Sequence, residues 1–132
     1  MKQILSIALI SFGLLSCGGD NSSEMQVGQY TNIEVEEVYD AGTVAKGEIV
    51  HAEIKIKNVG SYPLVIADIK PACSCTVSEY DEDPIAPGAT TIIKADLDTD
   101  RTGRGKVNKP ITITANTKPS TTTVTIKVNV VD

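Results

Sequence analysis

The stretch Val50-His51-Ala52-Glu53-Ile54-Lys55-Ile56-Lys57 alternates apolar and polar side chains without a break. A strand sends successive side chains to opposite faces, so Val50, Ala52, Ile54 and Ile56 share one face. His51, Glu53, Lys55 and Lys57 share the other. On a helix the same residues would scatter around the axis and bury nothing together. The alternation predicts a strand with one buried and one solvated face, the pattern of an antiparallel sheet with water on one side.

The same period recurs on both sides of that stretch. Ile33 and Val35 alternate with Asn32, Glu34 and Glu36. Ile111 and Ile113 alternate with Thr112 and Thr114. Val124, Ile126, Val128 and Val130 alternate with Thr125, Lys127 and Asn129. Turn signals separate these runs: Lys46-Gly47, Asn58-Val59-Gly60, Pro84, Pro87-Gly88, Gly103-Arg104-Gly105 and Lys118-Pro119. About seven strands follow, over roughly 32–38, 48–57, 63–69, 73–79, 89–97, 107–115 and 122–131, and their spacing predicts an antiparallel β-sandwich. Pro110 lacks an N–H for a sheet ladder and predicts an edge or a strand beginning.

Composition agrees. After Cys17 there are 13 Val, 12 Ile and 14 Thr but two Leu, Leu64 and Leu97. β-Branched residues fit a pleated, half-buried surface and lose side-chain freedom in a helix. The 132 residues support one small domain, with no room for a two-domain dinucleotide enzyme or a large barrel. A net charge of -5 argues against a nucleic-acid binder, which needs a basic face.

The N-terminus reads as an address. Lys2 precedes an apolar run from Ile4 to Leu15, too short to span a bilayer as a helix but right for a secretory signal. Leu14-Leu15-Ser16-Cys17 resembles the bacterial lipobox, in which the Cys is lipidated and the peptide is cut before it. The expected organisation is a signal peptide over 1–16, lipidated Cys17 with a flexible tether over 17–31, and the sandwich over 32–132. Several acyl chains hold a protein stably on a membrane. Gly18 rather than Asp after the Cys resembles the outer-membrane class, so the expected place is the cell envelope, on the outer membrane, facing the periplasm or the cell surface. Residues 18–31 are rich in small polar side chains, and the domain is expected to hang near the membrane without being pressed onto it. Cleavage removes Phe12, leaving Tyr30, Tyr39, Tyr62 and Tyr80 as the aromatics.

From Ile33 onward the chain resembles the bacterial domain-of-unknown-function family 1573. The residues that carry this are Gly42-Thr43-Val44, Asn58-Val59-Gly60 with Pro63-Leu64, and Cys73-Ser74-Cys75-Thr76. Further on come Pro87-Gly88, Gly103-x-Gly105 and Ile113-Thr114-Ala115-Asn116. The resemblance implies an immunoglobulin-like fold akin to the Hydin and major-sperm-protein sandwiches, and it implies no activity. The chain departs from the family pattern at Ala41, where an aromatic is usual, and at Ser74, where Gly is usual.

Cys73 and Cys75 are the thiols left outside the lipobox. Residues two apart on an extended strand lie on one face with Cβ atoms nearly 7 Å apart, against about 3.8 Å in a disulfide. A bridge therefore needs a kink. Three readings stand open: a strained disulfide, two free thiols, or a soft-metal site taking Cu(I) with His51 or Met25 as a further ligand. His51 otherwise reads as a surface residue. Glu79, Asp81, Glu82 and Asp83 read as an acidic solvated loop, with a weak Ca²⁺ alternative. Asp96, Asp98 and Asp100 alternate at a strand end, with Arg101 and Arg104 following to neutralise them, and read as surface loop with a weak Ca²⁺ alternative.

Neither a Gly-x-Ser-x-Gly elbow nor a Gly-rich phosphate loop opening a helix occurs in the sequence. The expected function is a non-enzymatic, lipid-anchored envelope module without a cofactor. It would contact the membrane through its anchor and bind a protein or polymer partner, not nucleic acid. The alternative is a copper-binding or redox protein using the Cys-x-Cys pair.

Overall fold

The computed structural model describes residues 28–132. The expectations for the signal peptide, Cys17 and Met25 lie outside the described residues. The described residues form eight strands: β1 (Ile33–Val35), β2 (Val38–Ala45), β3 (Ile49–Asn58), β4 (Ile66–Pro71), β5 (Cys75–Glu79), β6 (Thr90–Asp98), β7 (Gly105–Ala115) and β8 (Thr121–Val131). They make two four-stranded sheets, ordered β1-β3-β6-β5 and β2-β8-β7-β4. All pairings are antiparallel except β2 with β8, which is parallel. The result is an immunoglobulin-like β-sandwich.

The alternating stretch is the middle of the first sheet. Val50, Ala52, Ile54 and Ile56 are buried and the residues between them are exposed. Across the ladder they meet Leu97, Ala95, Ile93 and Thr91 of β6. The facing sheet contributes Ile111, Ile113, Val124, Ile126, Val128 and Val130. The fully buried apolar core is therefore aliphatic, with Tyr39 and Tyr80 packed at its margin. Burying one such Ile or Leu contributes about 1.5–3 kcal/mol.

The expected strand over 32–38 is two strands. β1 ends at Val35, the chain crosses to the other sheet at Glu36-Glu37, and β2 then pairs with β8 from Val38↔Thr125 onward. The periodicity of β2 is broken by a bulge between Asp40 and Thr43. There Gly42 takes φ +71° and donates its N–H to Asp40 Oδ1 at 2.9 Å.

Pro110 is a second departure. It lies inside β7, which has β8 on one side and β4 on the other, so it is at neither a sheet edge nor a strand start. Its carbonyl accepts from Ala72 N at 3.0 Å, so its imino nitrogen also faces the β4 side, just past the end of β4. The carbonyl that a residue with an N–H would use there, Ala72 O, instead accepts from Cys75 N at 3.1 Å. The proline thus leaves Ala72 free to close the next turn.

Candidate functional site

That turn carries the two thiols. Ala72 to Cys75 is a four-residue reversal with Ser74 at φ +79°, the left-handed value that the third residue of a type II turn requires. Ser74 is held there from both sides. Its hydroxyl donates to Arg101 O at 2.9 Å, and its carbonyl accepts from Asp98 N at 3.0 Å. The kink therefore exists although the residue is Ser and not Gly. Cys73 is exposed and Cys75 is half-buried, and both are free thiols. Cys75 sits opposite Leu97 and packs against the core. Burial pushes its pKa above the usual 9.0, with Lys109 pulling weakly the other way.

His51 is brought elsewhere. It projects from the solvent face of β3, where its Nδ1 lies 2.7 Å from Asp96 Oδ1. Cys75 points to the core face of the same sheet. The pleat thus separates the imidazole from the half-buried thiol, and Cys73, Cys75 and His51 do not form one ligand set. Among the described residues no group of three His, Cys, Asp or Glu side chains converges on a common point.

The acidic residues also have structural partners. Asp81 accepts from the Thr91 hydroxyl at 2.5 Å. Asp98 caps the short 3₁₀ turn Thr99–Arg101 by accepting from Asp100 N at 3.0 Å. Arg104 pairs with Asp132 and not with the aspartates of β6.

Two buried polar networks close the ends of the sandwich. At the end with the thiol turn, the Thr99 hydroxyl accepts from Gly47 N at 2.9 Å and donates to Glu48 O at 2.5 Å. Lys46 Nζ donates to the carbonyls of Thr99 (3.1 Å), Asp100 (3.4 Å) and Thr102 (2.8 Å). At the other end Asn58 is fully buried. Its Nδ2 donates to Tyr62 O (2.8 Å) and Ile85 O (3.0 Å), and its Oδ1 accepts from the Thr31 hydroxyl (2.6 Å) and Gly60 N (3.2 Å). Asn116 does the same for Pro63 O (2.9 Å), Gln29 O (3.3 Å) and Val65 N (2.7 Å). Residues 29–31, expected at the end of the tether, are part of this network, because Thr31 is buried and paired. A Cβ on Gly60 would fall 2.1 Å from Thr31 Oγ1 and 2.5 Å from Asn32 N, so the close approach of these loops needs glycine.

One open feature is a sheet edge. β1 covers only Ile56–Asn58 of β3, leaving Ile49–Lys55 without a partner strand on that side among the described residues. Asn58 directs its backbone groups toward the β6 side, bonding Ala89 O and Gly88 N. By alternation His51, Glu53 and Lys55 direct theirs to the free edge. The Tyr39 hydroxyl reaches across from β2 to His51 O at 3.4 Å. Between the two strands lies a groove of about 510 Å³, lined by Val35, Val38, Tyr39, Ile54, Lys55 and Glu34 among others.

A family model described as a protein of unknown function (DUF1573) matches residues 32–130. The chain belongs to the DUF1573 family. No curated protein matches it. Among solved structures, a protein of unknown function from Porphyromonas gingivalis W83 is similar with a TM-score of 0.67 at 24% identity, over 83% of this chain and 51% of that one. The secreted serine protease VesC from Vibrio cholerae gives 0.64 at 13% identity, over 76% of this chain and 23% of that one. The PapD-like domain 7 of human CEP192 gives 0.56 at 11% identity, over 98% and 99%. This DUF1573 chain thus spans about half the length of the Porphyromonas protein. At these identities the likeness shows the fold, a sandwich of the PapD-like kind.

Proposed function

We propose that this DUF1573 chain is a non-enzymatic, lipid-anchored module of the bacterial envelope that binds an extended segment of a protein partner. The free edge of β3 supports this reading most. Glu53 and Lys55 offer backbone donors and acceptors along it, and Val38, Tyr39 and Ile54 line the adjacent groove. An added strand gains affinity from main-chain hydrogen bonds and specificity from alternate side chains in such a groove. The lipobox-like Leu14-Leu15-Ser16-Cys17 supports the anchor. The family's established character, unknown function, assigns no reaction.

The test is site-specific photo-crosslinking in intact cells. A photoreactive residue in place of Lys55, on the free edge of β3, is expected to give one discrete adduct. The same residue in place of Lys70, on the outer edge strand β4, is expected to give none. Glu53→Pro removes an N–H that the sheet does not use, so it should abolish the adduct while the domain stays folded. Ile54→Pro removes a ladder bond to β6 and should unfold it. Equal labelling at positions 55 and 70, or an adduct that survives Glu53→Pro, overturns the proposal.

A further inference from the structure

The loops around Asn58 and Asn116 hold apolar side chains outward. Tyr30 is 45% exposed, Val59 48% and Tyr62 44%. These three lie at one end of the sandwich. Val59 N donates to Asn32 O at 2.9 Å, and Asn58 and Asn116 tie the 29–31, 58–65 and 116–117 segments together. Exposed Pro63 lies beside Tyr62 in the chain, and the Lys118 ammonium rests over the Tyr30 ring, 4.2 Å from its centroid. The described chain also begins here, since Gln29 O accepts from Asn116 Nδ2. Residues 18–27 separate Gly28 from Cys17, and ten residues reach at most about 35 Å when fully extended.

We infer that this end is a membrane-docking face, with Tyr30, Val59 and Tyr62 seated in the interface of the bilayer that holds the anchor; the inference rests on the proposed lipidation of Cys17. Tyrosine favours that interface because its ring is apolar and its hydroxyl polar. Lys118 extends its alkyl stem beside Tyr30 and delivers its charge to headgroup phosphates. The two buried asparagines order the loops in advance, so little conformational entropy is lost on docking. The anchor leaves the domain at the same face, so seating it requires no reversal of the chain. The loop between β5 and β6 returns to this end with exposed Asp81, Glu82 and Asp83. Those carboxylates select a zwitterionic surface over an anionic one. The domain therefore stands on its loop end and does not hang free, and the β3 edge faces sideways.

The chain contains no Trp, so an introduced indole is an unambiguous reporter. Full-length lipidated Tyr62→Trp is reconstituted into phosphatidylcholine vesicles with brominated acyl chains. Ile49→Trp, at the opposite end and 53% exposed in the native residue, is the control. Docking predicts that the indole at position 62 loses most of its emission to the brominated lipid while that at 49 keeps its own. The combination Tyr30→Ser with Val59→Ser should restore emission at 62. Adding anionic lipid should weaken the quenching. If the chain floats with the vesicles but position 62 is unquenched, the anchor stands and the docking face is overturned. Should the chain not float at all, the anchor itself is overturned, and docking with it. Quenching at 49 equal to that at 62 also overturns it. So does a crosslink from position 62 to a protein in cells without quenching in vesicles, which would make this end a protein surface.

Discussion

The two ends of the sandwich solve one problem by different chemistry. Each must satisfy loop carbonyls and amides that no strand can reach. At the Tyr62 end the work is done by two side-chain amides, each of which both donates and accepts. At the thiol end it is done by a hydroxyl and an ammonium, Thr99 and Lys46. An amide can be sealed away completely, and Asn58 is. An ammonium must keep access to water, and Lys46 remains only half-buried. The amide end is thus the one that can afford to expose rings outside a fully satisfied interior. Among the described residues no buried side-chain polar atom is left without a partner.

This contrast breaks most sharply at Asn58. Asn58→Ala leaves Tyr62 O and the Thr31 hydroxyl without their Asn58 partner, while Ile85 O keeps Leu64 N (2.8 Å) and Gly60 N keeps Asn32 O (3.2 Å). The expected loss is about 3–4 kcal/mol, because each buried group left unsatisfied costs about 1–3 kcal/mol and loop relaxation recovers part of the total. Urea denaturation measures it. A loss below about 1 kcal/mol would mean that water replaces the amide and that the two ends are equivalent.

Lys46→Met tests the opposite end. Methionine keeps the apolar stem and removes the donor to three carbonyls. Those carbonyls lie close to solvent, so the expected loss is about 1–2 kcal/mol, smaller than at Asn58. A double variant of the two should be additive, since they sit at opposite ends of the molecule. Measurable coupling would show that the ends communicate through the sheets.

The third effect has the opposite sign. Ser74 occupies a left-handed conformation that costs a non-glycine residue about 1–2 kcal/mol. Ser74→Gly relieves that and loses one partly exposed hydrogen bond, worth about 0.5–1.5 kcal/mol. The net expectation is a gain of up to about 1 kcal/mol, read as a raised denaturation midpoint. A loss would mean that the bond to Arg101 O, and not the backbone conformation, dominates the turn.

The legibility of these regions followed their periodicity. β3, β6, β7 and β8 could be read because each has one wet and one dry face over nine or more residues. β2 could not, because the bulge at Gly42 breaks its period and its partner is parallel and distant in sequence. Asn58 was visible only as a turn residue, since its partners come from Thr31, Tyr62 and Ile85. Tyr30 reads as part of a polar tether because what orders its segment is distant in sequence: Lys118 over its ring, and Asn116 bonded to Gln29 O and Thr31 N. The sequence shows Cys73 and Cys75 as the thiols outside the lipobox, but Ser74 gives no sign of positive φ. Neither did the pleat reveal, before the register was known, that His51 and Cys75 look in opposite directions.

The smallest expected effect separates the two thiols themselves. Cys73 is exposed and Cys75 half-buried with its pKa raised, chiefly by desolvation. The thiolate is the reacting species, so a small alkylating reagent should modify Cys73 first and Cys75 at a rate lower by about tenfold or more. The same shift links to stability. The folded protein holds the Cys75 proton more tightly than the unfolded chain, so this contribution is complete below the unfolded value of 9.0 and declines as pH rises above it. Cys75→Ser should therefore flatten the fall in stability on the alkaline side. Urea melts of the parent and the variant at neutral pH and near pH 10 decide the matter. If the variant keeps the parent's alkaline slope, the half-burial of Cys75 does not govern its ionisation, and the two thiols differ in access alone.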